Sequence, residues 1–151
     1  MEFDLTALKA NGKFETDFAG EIPVGERLSD LDGYRVEGAV RVNGHLSLLN
    51  QSCVVECNVS YVLAGECFRC LENASREYSC SFTEEFMSRP TEDAYFYTRN
   101  RLVLDGAVED AVLLSLPSVF TCREDCKGLC PVCGNNKNVS ACACEQNQEN
   151  D

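Results

Sequence analysis

Six cysteines crowd into the residues from Cys122 to Cys144, and this stretch restricts the fold of the chain more than any other feature. At its centre, the segment from Cys130 to Gly134 reads CPVCG, the spacing of a zinc knuckle, in which two thiolates reach one metal from a single tight turn. A second close pair follows after a short polar loop. Two such pairs suit a closed tetrahedral zinc site. We therefore predict one structural Zn²⁺ bound by Cys130, Cys133, Cys142 and Cys144, with Cys126 as a substitute ligand.

Cys67 and Cys70 form another Cys-x-x-Cys pair, at a point where the chain should turn from one strand into the next. Such a pair is compatible with metal binding, with structural burial or with redox chemistry. A redox pair requires a helix N-terminus beside it, and the sequence predicts no helix at this point. If Cys67 and Cys70 bind a metal, a four-cysteine site needs two further sulfur ligands. Cys122 and Cys126 remain once the tail site is assigned, so a second zinc site on these four residues is the alternative to a single site.

The other cysteines fall on predicted strands. Cys53 and Cys57 share one face of an alternating stretch with Val55 and Val59. Four residues of extended chain place them roughly 13 Å apart, whereas two thiolates on one zinc must lie within about 4 Å of each other. We predict that both are small core residues, and that Cys80 joins them on the next strand.

Composition restricts the class of protein. A chain of 151 residues with 44% hydrophobic residues is long enough for one domain and a small appendage. The first twenty residues contain neither a signal-peptide core nor a run that spans a bilayer, so we expect a soluble, cytoplasmic protein whose thiols are ligands or buried rather than disulfide-bonded. The net charge of −12 disfavours non-specific nucleic-acid binding, although Arg69, Arg123 and Lys127 leave room for a local basic patch.

Hydrophobic alternation predicts most of the strands. Residues 1–24 suggest two short strands around a turn at Asn11-Gly12, and the alternation from Tyr34 predicts a strand that ends in a hairpin turn at Asn43-Gly44. The returning strand carries Cys53 and Cys57. Residues 84–100 are polar and interrupted by a proline, and we predict a loop there.

One convincing helix follows this loop. Asp105 is its predicted N-cap, Val108 and Val112 lie on its apolar face, and Pro117 ends it. The fold class is therefore α+β: a mostly antiparallel sheet or partly open barrel, one main helix packed on it, and a small C-terminal zinc-knuckle appendage. We assign residues 1–120 to the β-rich domain, 121–145 to the appendage and 146–151 to a disordered tail.

Catalytic constellations are missing from the sequence. His45 is the only histidine, and it follows the predicted hairpin turn, where a histidine is usually solvated. A nucleophile and histidine pair would have to use this residue, and there is no Gly-rich phosphate loop. We expect no enzymatic activity.

The same residues, in this order, resemble the YceD family of large ribosomal RNA subunit accumulation proteins. The resemblance rests on Cys67-Phe68-Arg69-Cys70 within a β-rich region, on the helix from Val108 to Pro117, and on the tail from Cys126 to Gly134 with its closing Cys142 and Cys144. Such a tail is typical of family members from Gram-positive bacteria. Lys137 and Phe120 depart from the family pattern. Members without the tail still resemble this chain at Cys67 and Cys70, which favours the single-site interpretation.

This resemblance implies a non-enzymatic ribosome-biogenesis factor that supports accumulation of large-subunit ribosomal RNA. Its partners would be ribosomal RNA, a large-subunit assembly intermediate or a ribosomal protein, with no membrane and no small-molecule substrate. The clustered thiols leave two other functions open, namely a zinc-thiol redox sensor and a metal storage or delivery protein.

Overall fold

The computed structural model of the protein describes residues 1–144, so the tail predicted to be disordered, 146–151, lies outside the described residues. Two antiparallel sheets and three helices make up this part of the chain. In order, the elements are β1 (Glu2–Asp4), α1 (Leu5–Ala10), β2 (Glu15–Pro23), α2 (Glu26–Ser29), β3 (Tyr34–Leu48), β4 (Ser52–Glu66), β5 (Asn73–Met87), β6 (Arg101–Val103) and α3 (Asp105–Ser115). The predicted α+β class with antiparallel sheets is confirmed.

The larger sheet is a meander in the order β2-β3-β4-β5, and the smaller one pairs β1 with β6. Strand β4 lies inside the larger sheet, and the predicted alternation along it is confirmed. Its buried face includes Cys53, Val55 and Cys57, each at most 2% exposed, while Glu56 and Asn58 on the opposite face are exposed. Cys53 and Cys57 are thus core residues, as predicted, and Cys80 on β5 packs against the same core.

The hairpin turn predicted at Asn43-Gly44 is wrong. Strand β3 runs through both residues to Leu48, and the turn lies at residues 49–51. A Cβ at Gly44 would lie 2.0 Å from the carbonyl oxygen of Glu56. The glycine is therefore required by a close approach of two paired strands and not by a turn, a distinction that sequence spacing does not reveal.

Two loop and strand predictions also need correction. Residues 5–10, where a strand and not a helix was predicted before the turn at Asn11-Gly12, form α1 because the Asp4 carboxylate accepts hydrogen bonds from the backbone N–H groups of Thr6 and Ala7 and caps the helix. The loop predicted over 84–100 begins only after Met87, because β5 continues along β4 as far as that residue.

The predicted main helix exists as α3, but its N-cap is Leu104 and not Asp105. The Asp105 carboxylate instead accepts hydrogen bonds from the N-terminal amine of Met1, at 2.5 and 2.8 Å. Val108 and Val112 are buried as predicted, whereas Leu114 on the same helix is 89% exposed. No helix within residues 1–144 has the length and apolar character to cross a membrane.

Candidate metal centres

The first candidate metal centre joins the body of the protein to its C-terminal segment. Cys67 and Cys70 lie in the turn between β4 and β5, and Cys122 and Cys126 come from the segment after α3. The four sulfur atoms lie within 4.8 Å of one another. Cys67 Sγ is 3.8 Å from Cys126 Sγ, and Cys70 Sγ is 3.8 Å from Cys122 Sγ. We call this group the clasp cluster.

The sulfur geometry of the clasp cluster fits zinc. Tetrahedral Zn–S bonds of about 2.3 Å place neighbouring sulfurs roughly 3.8 Å apart, whereas a disulfide needs about 2.05 Å. All four thiols are free. Because the donor set is complete with four sulfurs, a tetrahedral ion bound here would have no open position for a substrate.

Backbone hydrogen bonds bring the two segments of the clasp cluster together. Phe68 N–H donates to the carbonyl oxygen of Phe120 at 2.8 Å, and Leu129 N–H donates to that of Arg69 at 3.2 Å. Gly128 has a φ of +73°, and a Cβ there would lie 3.2 Å from the Arg69 carbonyl oxygen. The turn and the tail therefore approach each other more closely than most side chains allow.

Asn138 organises the tail side of the clasp cluster. Its Nδ2 donates to Cys126 Sγ at 3.3 Å, while its Oδ1 accepts from the Lys127 backbone N–H at 2.8 Å and from the Arg123 guanidinium at 2.7 Å. A side chain that donates to a metal-binding sulfur fixes its position and favours its thiolate form. The contact of Asn138 with a sulfur was not predicted, because nothing in sequence spacing ties residue 138 to residue 126.

The thiols of the clasp cluster differ in their pKa values. Burial raises the pKa of Cys67, but backbone N–H groups of Cys122, Cys70 and Arg69 donate to its sulfur and lower the pKa to about 6. The pKa of Cys122 rises to about 12 because it is desolvated and lies beside the other three thiols. Despite burial, the pKa of Cys126 is lowered as well, with Asn138 donating to its sulfur, whereas that of Cys70 is raised, and a bound metal would stabilise all four thiolates.

The second candidate centre lies entirely within the tail, and we call it the tail cluster. The sulfurs of Cys130, Cys133, Cys142 and Cys144 lie within 4.8 Å of one another. Gly134 N–H donates to the Cys130 carbonyl oxygen at 2.9 Å, which closes the knuckle turn. Asn135 bonds to both the carbonyl and the hydroxyl of Ser140 and so holds the loop that leads to the second pair.

Exposure separates the two clusters. In the clasp cluster, Cys67, Cys70 and Cys126 are each at most 5% exposed. In the tail cluster only Cys130 is buried, Cys142 and Cys144 are half-buried and Cys133 is exposed. Backbone N–H groups of Cys133 and Val132 lower the pKa of Cys130 to about 6. Both clusters have the donor set of a zinc site, but solvent and oxidants reach the tail cluster more easily.

The structure brings together every sulfur that the sequence analysis considered as a ligand. The four predicted tail ligands form one group, and Cys126, considered there as a substitute, lies with Cys67, Cys70 and Cys122. The second group is the two-site alternative. Cys53, Cys57 and Cys80 belong to neither, and His45 lies within β3, where it bonds to Asp17 and Glu15 instead of following a turn.

Most of the basic residues near the clasp cluster have structural partners. Arg69 donates to the carbonyl oxygens of Glu124 and Cys126, and Arg76 pairs with the Glu124 carboxylate at 3.0 Å. Phe120, one departure from the family pattern, is 2% exposed and stacks on Tyr34. These contacts attach the tail to the body of the protein. Arg69 and Arg76 therefore serve mainly as structural partners and not as parts of a broad basic patch.

Comparisons with known proteins agree with this geometry. A protein-family model described as large ribosomal RNA subunit accumulation protein YceD matches residues 55–151, a range that holds both clusters. Uncharacterized proteins of Mycobacterium bovis and of two Mycobacterium tuberculosis strains are each 32% identical over 94 residues, which covers 57% of this chain and 45% of the relatives.

The aligned region thus spans less than half the length of these curated relatives. No solved structure matches the chain. The family match covers more than half of the sequence and includes most of strand β4, the clasp turn, α3 and the tail, so the chain belongs to the YceD family of large ribosomal RNA subunit accumulation proteins.

Proposed function

We propose that this protein is a non-enzymatic, cytoplasmic ribosome-biogenesis factor that supports the accumulation of large-subunit ribosomal RNA. The observation that carries this proposal is the family match over residues 55–151. The family name implies a role in ribosomal RNA accumulation, and the step at which this chain acts belongs to the proposal.

Zinc has a structural role in this function. The clasp cluster fastens the tail to the β4–β5 turn, and the tail cluster fixes the loop beyond it, so that two Zn²⁺ ions give the C-terminal segment one rigid shape. The rigid C-terminal segment provides the surface that binds ribosomal RNA, an assembly intermediate or a ribosomal protein. Two complete sets of four thiolates support a role without catalysis, because neither leaves a coordination position for a substrate.

Depletion of the protein in its native cell tests this function. We expect less 23S-type ribosomal RNA and fewer large subunits in sedimentation profiles, with the small subunit less affected. Complementation should succeed with the unaltered chain and fail with Cys67→Ser/Cys70→Ser, provided that the variant protein accumulates to the same level. Unchanged large-subunit RNA after depletion would contradict the proposal.

Redox sensing is a second candidate, favoured by the exposure of Cys133 in the tail cluster. A sensor would release zinc from this cluster at low peroxide, with formation of disulfides, while the buried clasp cluster retained its ion. Zinc release followed with a chromogenic chelator separates the two functions. Retention of both zinc ions at mild oxidant levels would contradict redox sensing and leave ribosome assembly as the proposed function.

A further inference from the structure

The outer edge of the larger sheet is long and unprotected. Strand β5 has 15 residues, pairs with β4 along one side and ends the strand order. Within residues 1–144, the backbone of residues 73–86 makes no backbone hydrogen bond outside this sheet. The segment from Tyr78 to Thr83 carries no charge and β5 contains no proline, so the features that normally block strand addition are missing at its centre.

The opposite edge of the same sheet provides a contrast. Strand β2 carries three carboxylates and ends on Pro23 within nine residues. Charges and proline are the usual protection of an edge against pairing with another chain. The chain therefore protects the β2 edge along its length, whereas the charges of β5, on Arg76, Glu77, Glu84 and Glu85, leave its centre from Tyr78 to Thr83 open.

An apolar groove runs beside the open edge. Strand β5 and helix α3 line it, with Cys80 and Phe82 on the strand and Ala111 and Leu114 on the helix. Cys80 and Phe82 face the core but are only half-buried, and Leu114 is 89% exposed. The volume of about 220 Å³ is below the range of about 300–1,000 Å³ that is usual for small-molecule sites, and it suits one or two peptide side chains.

Charge indicates what kind of peptide would bind. Glu84 and Asp110 line the groove, whereas Glu77 and Glu85 lie on the opposite face of β5, where Glu77 pairs with Arg41 and Glu85 accepts a hydrogen bond from Ser52. Asp110 stays ionised, because hydrogen bonds from Tyr95 and Arg27 lower its pKa, but it already pairs with Arg27 at 2.8 Å. Glu84 has no cationic partner within residues 1–144 and is therefore the main negative charge of the groove. The chain as a whole has a net charge of −12, which disfavours binding of RNA or of a second copy of this chain at this surface.

We propose that the groove between β5 and α3 binds an extended basic segment of a partner protein. The segment adds to β5 as a further antiparallel or parallel strand, places an apolar side chain between Phe82 and Leu114, and directs a lysine or arginine two residues away, on the same face of the strand, to Glu84 and Asp110. Backbone pairing with an edge strand combined with a pocket for alternate side chains is a recurrent mode of peptide recognition. This surface lies apart from both cysteine clusters, so it is independent of the metal centres.

The probe is an acetylated and amidated ten-residue peptide with threonine at every second position and, in turn, lysine and valine at the positions between, so that lysine and valine share one face of the added strand. It is titrated into the zinc-loaded, ¹⁵N-labelled full chain at about 150 mM salt, where unspecific attraction is screened. We expect amide shifts concentrated in β5 and α3. Two further peptides carry N-methyl groups either on every threonine amide or on every lysine and valine amide. Since alternate residues of a strand direct their N–H groups to opposite edges, one methylated peptide should bind and the other should not.

The decisive variant is Leu114→Glu, with Leu49→Glu as its control in the exposed β3–β4 turn. Both add one negative charge, so unspecific attraction of a cationic peptide would strengthen in both. We expect Leu114→Glu to weaken binding about tenfold, because it places a carboxylate in the apolar contact, and the control to match the unaltered chain or exceed it. Binding that is unchanged or stronger in Leu114→Glu, or that tolerates both methylated peptides, would overturn the proposal. So would a single-stranded oligouridylate that shifts the same β5 amides, or concentration-dependent dimers of the chain through β5.

Discussion

Cys67 Sγ and Cys126 Sγ lie 3.8 Å apart although 59 residues separate them in the chain. The first belongs to a turn of the larger sheet and the second to the segment after α3, so a metal held by both would close a long loop. Constraining a loop of this length disfavours the unfolded state, and the clasp cluster is thus positioned to couple metal binding to the attachment of the tail.

Metal stoichiometry should follow from this connection. We expect two zinc ions in the intact chain and one in either Cys67→Ser/Cys70→Ser or Cys142→Ser/Cys144→Ser. A chain that ends before Cys122 should bind none, because the clasp cluster takes two of its ligands from the tail. Elemental analysis with native mass spectrometry gives these counts. One ion retained by the truncated chain would contradict the clasp assignment.

Asn138→Ala should weaken zinc binding at the clasp cluster. The variant removes the hydrogen bond to Cys126 Sγ and the acceptor for the Lys127 N–H, and loss of such supporting contacts typically costs about 10–100-fold in metal affinity. Competition with a chelator measures the effect. Asn50→Ala, at an exposed position of the β3–β4 turn, is the matched control and should leave both affinities unchanged.

Gly128→Ala and Gly134→Ala form an informative pair, because both glycines have a φ of +73°. Each substitution should cost about 1 kcal/mol through backbone conformation. Gly128→Ala should cost more, since its Cβ would lie 3.2 Å from the Arg69 carbonyl oxygen, whereas no atom of residues 1–144 would lie within 4 Å of a Cβ at Gly134. Unfolding of the zinc-loaded variants by denaturant measures the two free energies, and equal losses would show that the tail does not pack closely on the turn.

Cys53→Ser should destabilise the fold without changing the zinc count. Cys53 is 0% exposed in the core, and an unpartnered hydroxyl there costs about 1–3 kcal/mol. Cys80→Ser, at a half-buried position, should cost less. Thermal unfolding and elemental analysis on the same samples check both statements, and loss of a zinc ion from Cys53→Ser would overturn its assignment as a core residue.

His45 should titrate above its ordinary pKa of 6.5. Its Nδ1 bonds to Asp17 at 2.7 Å and its Nε2 to Glu15 at 3.2 Å, and these carboxylates raise the pKa. The folded state therefore favours the protonated ring, and this stabilisation is present below the unfolded pKa and lost as the pH rises through the raised folded pKa. Because His45 is the only histidine, its proton NMR titration is unambiguous. Asp17→Asn/Glu15→Gln should lower the midpoint.

Local patterns accounted for much of the fold. Strict alternation around Val55 and Val59 predicted the buried face of β4, because the period of a strand depends only on neighbouring residues. The Asn43-Gly44 pair was misleading, since the same dipeptide suits a hairpin turn and a close approach of two strands. Asp105 was misleading in the same way, because a good N-cap residue is also a good partner for the distant N-terminal amine.

The sequence by itself determined which cysteines form close pairs, which belong to the core and which are candidate metal ligands. These distinctions follow from spacing along a turn or a strand. Only the tertiary structure decided which pairs share a site. Cys126 is four residues from Cys130, yet it lies with Cys67, because the β4–β5 turn packs against the start of the tail and Asn138 directs the Cys126 sulfur toward it. Such contacts depend on how distant segments pack, and no local pattern records them.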